Sequence, residues 1–166
     1  MSPNILQKYS TGNFHFPIKS GIDNILVNKD SILEVTQKIK EDEDLLYDQL
    51  IDITVTDNML SKSSYSNERF TLIYSFLSLK FNKRLFIFTN ISEDNLDINS
   101  ITQIFESADW FERETYDMLG IEYTGHRDLR RILLPDDWEG WPLRKDYQVQ
   151  ETYHGIVVPK MKEGWE

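Results

Sequence analysis

Apolar side chains recur along this chain at two spacings. Ile32, Val35 and Ile39 are helically spaced behind Asp30 and Ser31, either of which can cap a helix, and the acidic run Glu41–Asp44 opposes a helix C-terminus. The spacing predicts a helix that stops by about Lys40, then a solvated loop. From Tyr47 to Thr56 the pattern alternates, with Leu50, Ile51, Ile53 and Val55 supplying apolar bulk, and Asp57-Asn58 marks a turn. The alternation returns over a longer stretch, Glu68–Asn82, and Asn82-Lys83 predicts a tight turn into a further strand, Arg84–Asn90, as an antiparallel pair. Ile25–Val27 is a brief apolar run of strand character, and Asn4–Tyr9 reads as a short helical turn. Two helical segments follow the strands: Ile101–Phe105, and one opening at Asp109. These elements predict an α+β fold, a mixed, largely antiparallel sheet covered by helices on one face, and not a repeating βαβ pattern.

The second of those helices is expected over Trp110–Leu119. Asp109 is a candidate N-cap, Glu112 would complete a capping box, and Gly120 stops the helix. On a 3.6-residue period Phe111, Thr115, Met118 and Leu119 share a face, Glu112 and Tyr116 lie on another, and Arg113 and Asp117 are placed for an i,i+4 ion pair. Glu112 and Glu114 point nearly opposite ways, which suits a pair of acid–base carboxylates poorly. Beyond Gly120, prolines and glycines interrupt every regular pattern. The chain is therefore divided into residues 1–125, an α+β domain, and residues 126–166, an extended partner-binding segment. Its tail carries Val149, Ile156, Val157, Val158 and Trp165, which cannot build a core locally and so need another surface to cover them.

Composition narrows the function. A length of 166 residues with 40% hydrophobic and 28% charged residues fits one globular domain. The net charge of −10 argues against a nucleic-acid ligand, whose affinity depends on basic neutralisation of phosphates. The absence of cysteine excludes disulfides, thiolate nucleophiles and cysteine-held iron–sulfur clusters in this sequence. His15, His126 and His154 are scattered, and no phosphate-cradling or nucleophile-elbow motif occurs. The longest apolar runs, such as Leu72–Leu79, are far shorter than the ~20 residues that cross a bilayer, so a membrane would be met through a partner.

The densest chemistry lies between Glu112 and Tyr147. Arg127, Arg130, Arg131, Arg144 and Lys145 are interleaved with Asp128, Asp136, Asp137, Glu139 and Asp146, and Trp138 and Trp141 share a turn-rich loop. Three readings compete: a solvated charged face, an anion patch, or a protein interface. Near-neutral interleaving disfavours the anion patch, and aromatic anchors amid alternating charge favour the interface. A stand-alone acid–base hydrolase using Glu112, Glu114, Asp117 and His126 is a further alternative.

The stretch Glu112–Tyr147, ERETYDMLGIEYTGHRDLRRILLPDDWEGWPLRKDY, resembles the signature of the C-type subunits, the 30 kDa subunit family of proton-translocating NADH–quinone oxidoreductase, respiratory complex I. The resemblance rests on Glu112, Arg113, Glu114, Asp117, Met118, Leu119, His126, Arg130, Arg131, Ile132 and Leu133. A second hallmark, PLRKDY, supplies Arg144, Lys145, Asp146 and Tyr147, while Trp141 stands where the family more often carries histidine or tyrosine. It implies a peripheral-arm subunit without a catalytic centre, cofactor or metal of its own, with FMN and iron–sulfur clusters on partner chains. Its partners would be the large D-type subunit of the quinone site and the B-type and I-type subunits, on the cytoplasmic side of the membrane. Equivalent subunits occur in membrane-bound hydrogenases and plastid-type quinone oxidoreductases.

Overall fold

A computed structural model describes residue 6 and residues 8–11, 22–60 and 68–158. Half of the helical turn expected at Asn4–Tyr9, together with His15 and Trp165, lies outside the described residues. In chain order the elements are β1 (Asp23–Leu26), a 3-10 turn (Lys29–Ser31), α1 (Ile32–Glu41), β2 (Gln49–Asp57), β3 (Phe70–Ser78), β4 (Lys83–Ile91), β5 (Asp97–Asn99), α2 (Ala108–Leu119), β6 (Glu122–Thr124), β7 (Thr152–Tyr153) and β8 (Ile156–Val157).

The main sheet has the order β1-β4-β3-β2. β2, β3 and β4 are antiparallel neighbours, whereas β1 joins β4 in parallel, which makes the sheet mixed. Register turns the alternation of the sequence into rows of side chains: Ile53 lies opposite Tyr74, Tyr74 opposite Ile87, and Ile87 opposite Ile25. All four are buried. Phe70, Leu72 and Phe76 extend that face, and Ile32, Val35 and Ile39 of α1 with Ala108 and Leu119 of α2 close the core over it. Such a row buries well because successive strand side chains alternate between faces.

Three local differences have identifiable causes. A bulge between Leu50 and Asp52 breaks the alternation, so Ile51 turns out to solvent at 47% exposure although it is apolar. The antiparallel pair expected across Asn82-Lys83 forms as β3 and β4, but its turn is a four-residue loop over residues 79–82, with Asn82 in the left-handed region at φ 50°. The helix expected at Ile101–Phe105 is instead a set of turns: the amides of Ile104 and Phe105 both reach the Ile101 carbonyl at 2.9 Å. Five residues are too few to propagate a helix, and the segment is held from outside by the Lys40 ammonium, which donates to the Ile104 carbonyl and sits 4.8 Å from the Phe105 ring centre.

β5 and β6 pair in parallel on either side of α2 in the sequence, so the helix is a short crossover rooted in its own two-stranded sheet. Tyr123 of β6 meets Thr115 of α2 through hydroxyls 2.7 Å apart. This placement fixes the rotation of α2 about its axis, and with it the side chains of the signature.

Candidate functional site

α2 is capped differently from the sequence expectation. Ser107 occupies the N-cap position and Asp109 lies within the first turn. Glu112 does not complete a capping box, because an N-cap at Ser107 puts it at the fifth helical position; its Oε1 instead accepts the Ile101 amide of the preceding turns at 2.8 Å. Glu112 is fully buried, and burial pushes its carboxyl up to about 7.

Asp117 is the hub of the site. The expected pair with Arg113 does not form; Asp117 faces the loop that follows β6, and Arg131 is its cation, with Nη1 to Oδ1 at 2.7 Å. The other carboxylate oxygen accepts three backbone amides in a row, from Ile132 at 2.9 Å, Leu133 at 2.7 Å and Leu134 at 3.0 Å. Burial alone would raise the carboxyl, yet these amides and the guanidinium outweigh it and hold Asp117 below the usual carboxylate range. The other Nη hydrogens of Arg131 go to the carbonyls of Asp117, Trp138 and Gly140. One carboxylate and one guanidinium thus fold residues 131–140 against the last turn of α2.

A second fastening holds the PLRKDY stretch. Arg69, just before β3, chelates Asp57 at the end of β2 (Nη2 to Oδ2, 3.1 Å) and Asp146 (2.6 Å), and also pairs with Glu93. Asp57 Oδ2 accepts the Lys145 amide at 2.9 Å as well. The Asp57 side chain is 1% exposed, and burial there is again outweighed by Arg69 and the amides, which leaves its carboxyl lowered. Arg144 lies over the Trp141 ring at 4.0 Å and donates through Nε to the Leu119 carbonyl at 2.7 Å. Gly120, at φ 75°, makes this possible, since a Cβ there would come within 2.5 Å of Trp141 Cε2.

The remaining signature residues are distributed around these fastenings. Arg113 is buried, stacked 4.9 Å from the Trp110 ring centre, with Nε 3.4 Å from the Arg130 carbonyl and Nη1 4.0 Å from Asp128. Arg130 pairs with Asp128 at the surface. His126 accepts the Asp128 amide at Nδ1, so its Nε2 carries the proton, directed at Asp109 (3.2 Å to its carbonyl and 3.4 Å to Oδ1). Trp138 packs against Tyr153 with ring centres 5.3 Å apart, and Tyr147 packs beside Gly140. Asp137 holds the β7–β8 hairpin by accepting from Tyr153 and pairing with His154, each at 2.8 Å. Lys145 and Asp146 face solvent beside the Arg69 cluster.

Glu112, Glu114, Asp117 and His126 do not converge. Glu112 is in the core, Glu114 is exposed, Asp117 is fully engaged and His126 turns to Asp109. Among the described residues no group of three His, Cys, Asp or Glu is placed to hold a metal ion. Among the side chains that α2 and its loop leave exposed are three large apolar ones: Trp110 at 61%, Leu133 at 61% and Leu143 at 57% exposure. Trp110 and Glu114 share a helix face with Asp117, whose carboxylate holds Leu133, while the Leu143 amide is tied to the Met118 carbonyl at 3.1 Å. Asp57, Arg69 and Trp110 were not singled out by sequence reasoning. The first two are far from the signature in sequence, and an isolated Asp or Arg beside a turn carries no local signal.

The model of the family described as respiratory-chain NADH dehydrogenase, 30 Kd subunit, matches residues 25–153. The chain belongs to that family. Similar relatives include the NADH-quinone oxidoreductase C subunit of Chloroherpeton thalassium, 44% identical over 80% of this chain and 52% of the relative. The C subunit of Trichlorobacter lovleyi is 41% identical over 79% of this chain and 80% of its own length. The C/D subunit of Proteus mirabilis is 34% identical over 96% of this chain but only 27% of itself. The chain thus spans about half the length of the Chloroherpeton relative. Among solved structures, the trypsin-resistant fragment (1-134) of Nqo5 aligns with TM-score 0.57 at 27% identity over 64% of this chain and 81% of the fragment. A chain of an archaeal membrane-bound sulfane sulfur reductase shares the fold, with TM-score 0.68 at 20% identity over 86% of this chain and 81% of that one. No helix among the described residues is long and apolar enough to cross a membrane.

Proposed function

We propose that this chain is a non-catalytic, peripheral-arm subunit of an NADH–quinone oxidoreductase, whose α2 face docks the large D-type subunit beside the quinone site. The carrying observation is the division of labour in the signature. Asp117, Arg131 and Arg144 are occupied in fastening residues 131–144 to α2, whereas Trp110, Leu133 and Leu143 are left exposed along the same element. Charges engaged internally build a rigid platform, and the apolar side chains on it are interface anchors. Relatives whose names join C and D in one chain support a D-type neighbour. The B-type and I-type subunits complete the surroundings, and FMN and iron–sulfur clusters reside on partner chains. The complex places this subunit on the cytoplasmic side of the membrane, reached only through its partners.

The double substitution Trp110→Asp with Leu143→Asp tests the reading. Both side chains are exposed, so the isolated chain should stay folded while the amount of assembled complex falls at least about tenfold, since a loss of only ~1.4 kcal/mol of docking energy is a factor of ten and two anchors are removed. Turnover per assembled particle should stay as in the parent. Normal assembly of the doubly substituted chain would contradict the docking face.

A further inference from the structure

The β3–β4 hairpin tip, Leu79–Arg84, is set apart from the rest of the chain by its chemistry. Leu79 is 61% and Phe81 39% exposed, and Lys80, Asn82, Lys83 and Arg84 all face solvent. Three cations and no acid thus occupy six residues of a chain whose net charge is −10. None of the ion pairs among the described residues involves Lys80, Lys83 or Arg84. The carboxylate brought close, Asp48, accepts the Leu79 amide at 3.2 Å. Lys80 lies 5.2 Å from the Phe81 ring centre, which leaves its ammonium beside the aromatic face at the apex. The tip is also distant from the signature. Phe70, next to the Arg69 cluster, and Ser78 are at opposite ends of β3, and eight strand steps of ~3.3 Å separate them by roughly 26 Å.

We propose that this tip is a second docking site, which seats Leu79 and Phe81 in an acidic, apolar-centred surface of another protein of the assembly. The proposal rests on the reading of the chain as a subunit and adds a contact that the α2 face does not make. Charge complementarity selects the partner: an acidic patch matches three cations at the tip and is repelled by the acidic remainder of the chain, so only the tip can approach it. A protein surface fits better than an anionic bilayer. A bilayer presents negative charge over its whole area, and three cations at ~1 kcal/mol each would have to hold an acidic chain against it, whereas a protein patch can match a six-residue tip.

The test is photo-crosslinking in the complex purified from membranes, with p-benzoylphenylalanine in place of Leu79 in one preparation and of Trp110 in another. An adduct from position 79 to an Asp- or Glu-bearing segment of a different subunit, falling at least tenfold when Lys80, Lys83 and Arg84 are all changed to Glu, is the expected result. The isolated charge-reversed chain should keep its urea midpoint, because the three side chains are exposed. Labelling of lipid, labelling of a second copy of this chain, or no adduct at 79 while 110 crosslinks would overturn the tip contact alone. Failure of the chain to co-purify with any other subunit would overturn both it and the proposed function.

Discussion

Asp117→Ala removes the acceptor on which residues 131–134 converge, and its cost can be worked from the partners. The carboxylate is fully buried, so nothing but protein compensates its four donors, the Arg131 guanidinium and the amides of Ile132, Leu133 and Leu134. Breaking a buried pair costs about 3–5 kcal/mol. Arg131 is 15% exposed and Leu133 lies at the surface, so water can reach part of what is released. The lower end, about 3 kcal/mol, is therefore expected. Asp117→Asn should be nearly as costly, since its amide nitrogen would place a donor against either the guanidinium or the backbone amides. Urea denaturation measures the loss, and hydrogen exchange at Ile132, Leu133 and Leu134 locates it. Because the folded carboxyl sits below its ordinary value of 3.8, its contribution is present above that value and lost as pH falls through the folded one. Parent and Asn variant should then converge in acid. An Asn variant within about 0.5 kcal/mol of the parent at pH 7, with unchanged exchange of those amides, would refute the reasoning.

Glu112→Gln probes the opposite sign. The folded carboxyl is raised from 4.5 to about 7 by burial, so its favourable contribution is complete below pH 4.5 and is lost as pH rises to 7. At ~1.36 kcal/mol per pH unit this amounts to about 3 kcal/mol; the variant should gain on the parent by roughly that amount at pH 8 relative to pH 4, and a pH-independent difference would be the contrary result. Gly120→Ala should cost about 2 kcal/mol or more, part from a left-handed alanine and part from displacing Trp141, read as a lowered thermal midpoint. Arg69→Met should strand the buried Asp57 and release Asp146, at about 3 kcal/mol by urea denaturation. By contrast Arg130→Ala, which removes only the surface pair with Asp128 and whose side chain is 68% exposed, should change stability in the same assay by less than about 0.5 kcal/mol.

The parts of the fold legible in the sequence were those whose causes are local. Alternation over Glu68–Asn82 and Arg84–Asn90 produced β3 and β4 within a few residues, and the spacing of Ile32, Val35 and Ile39 placed α1. The bulge at Leu50 was invisible, because Ile51 has the composition of a buried strand residue and only the partner strand decides which way it turns. At the site, the signature marked the right stretch but not its wiring. Asp117 chose a guanidinium fourteen positions away over one four positions away because the 131–134 turn offers three amides with it. The Arg69 and Asp57 fastening joins residues 77 and 88 positions from their partners, beyond any pattern that periodicity can carry.

The most direct measurement is isolation of the tagged chain from membranes in mild detergent, with identification of every co-purifying subunit and an assay of NADH-dependent quinone reduction on the same particles. The account predicts stoichiometric large subunits, a D-type subunit among them, and electron transfer that the chain alone does not support. Recovery of the chain by itself, or in particles without a D-type subunit, would contradict it.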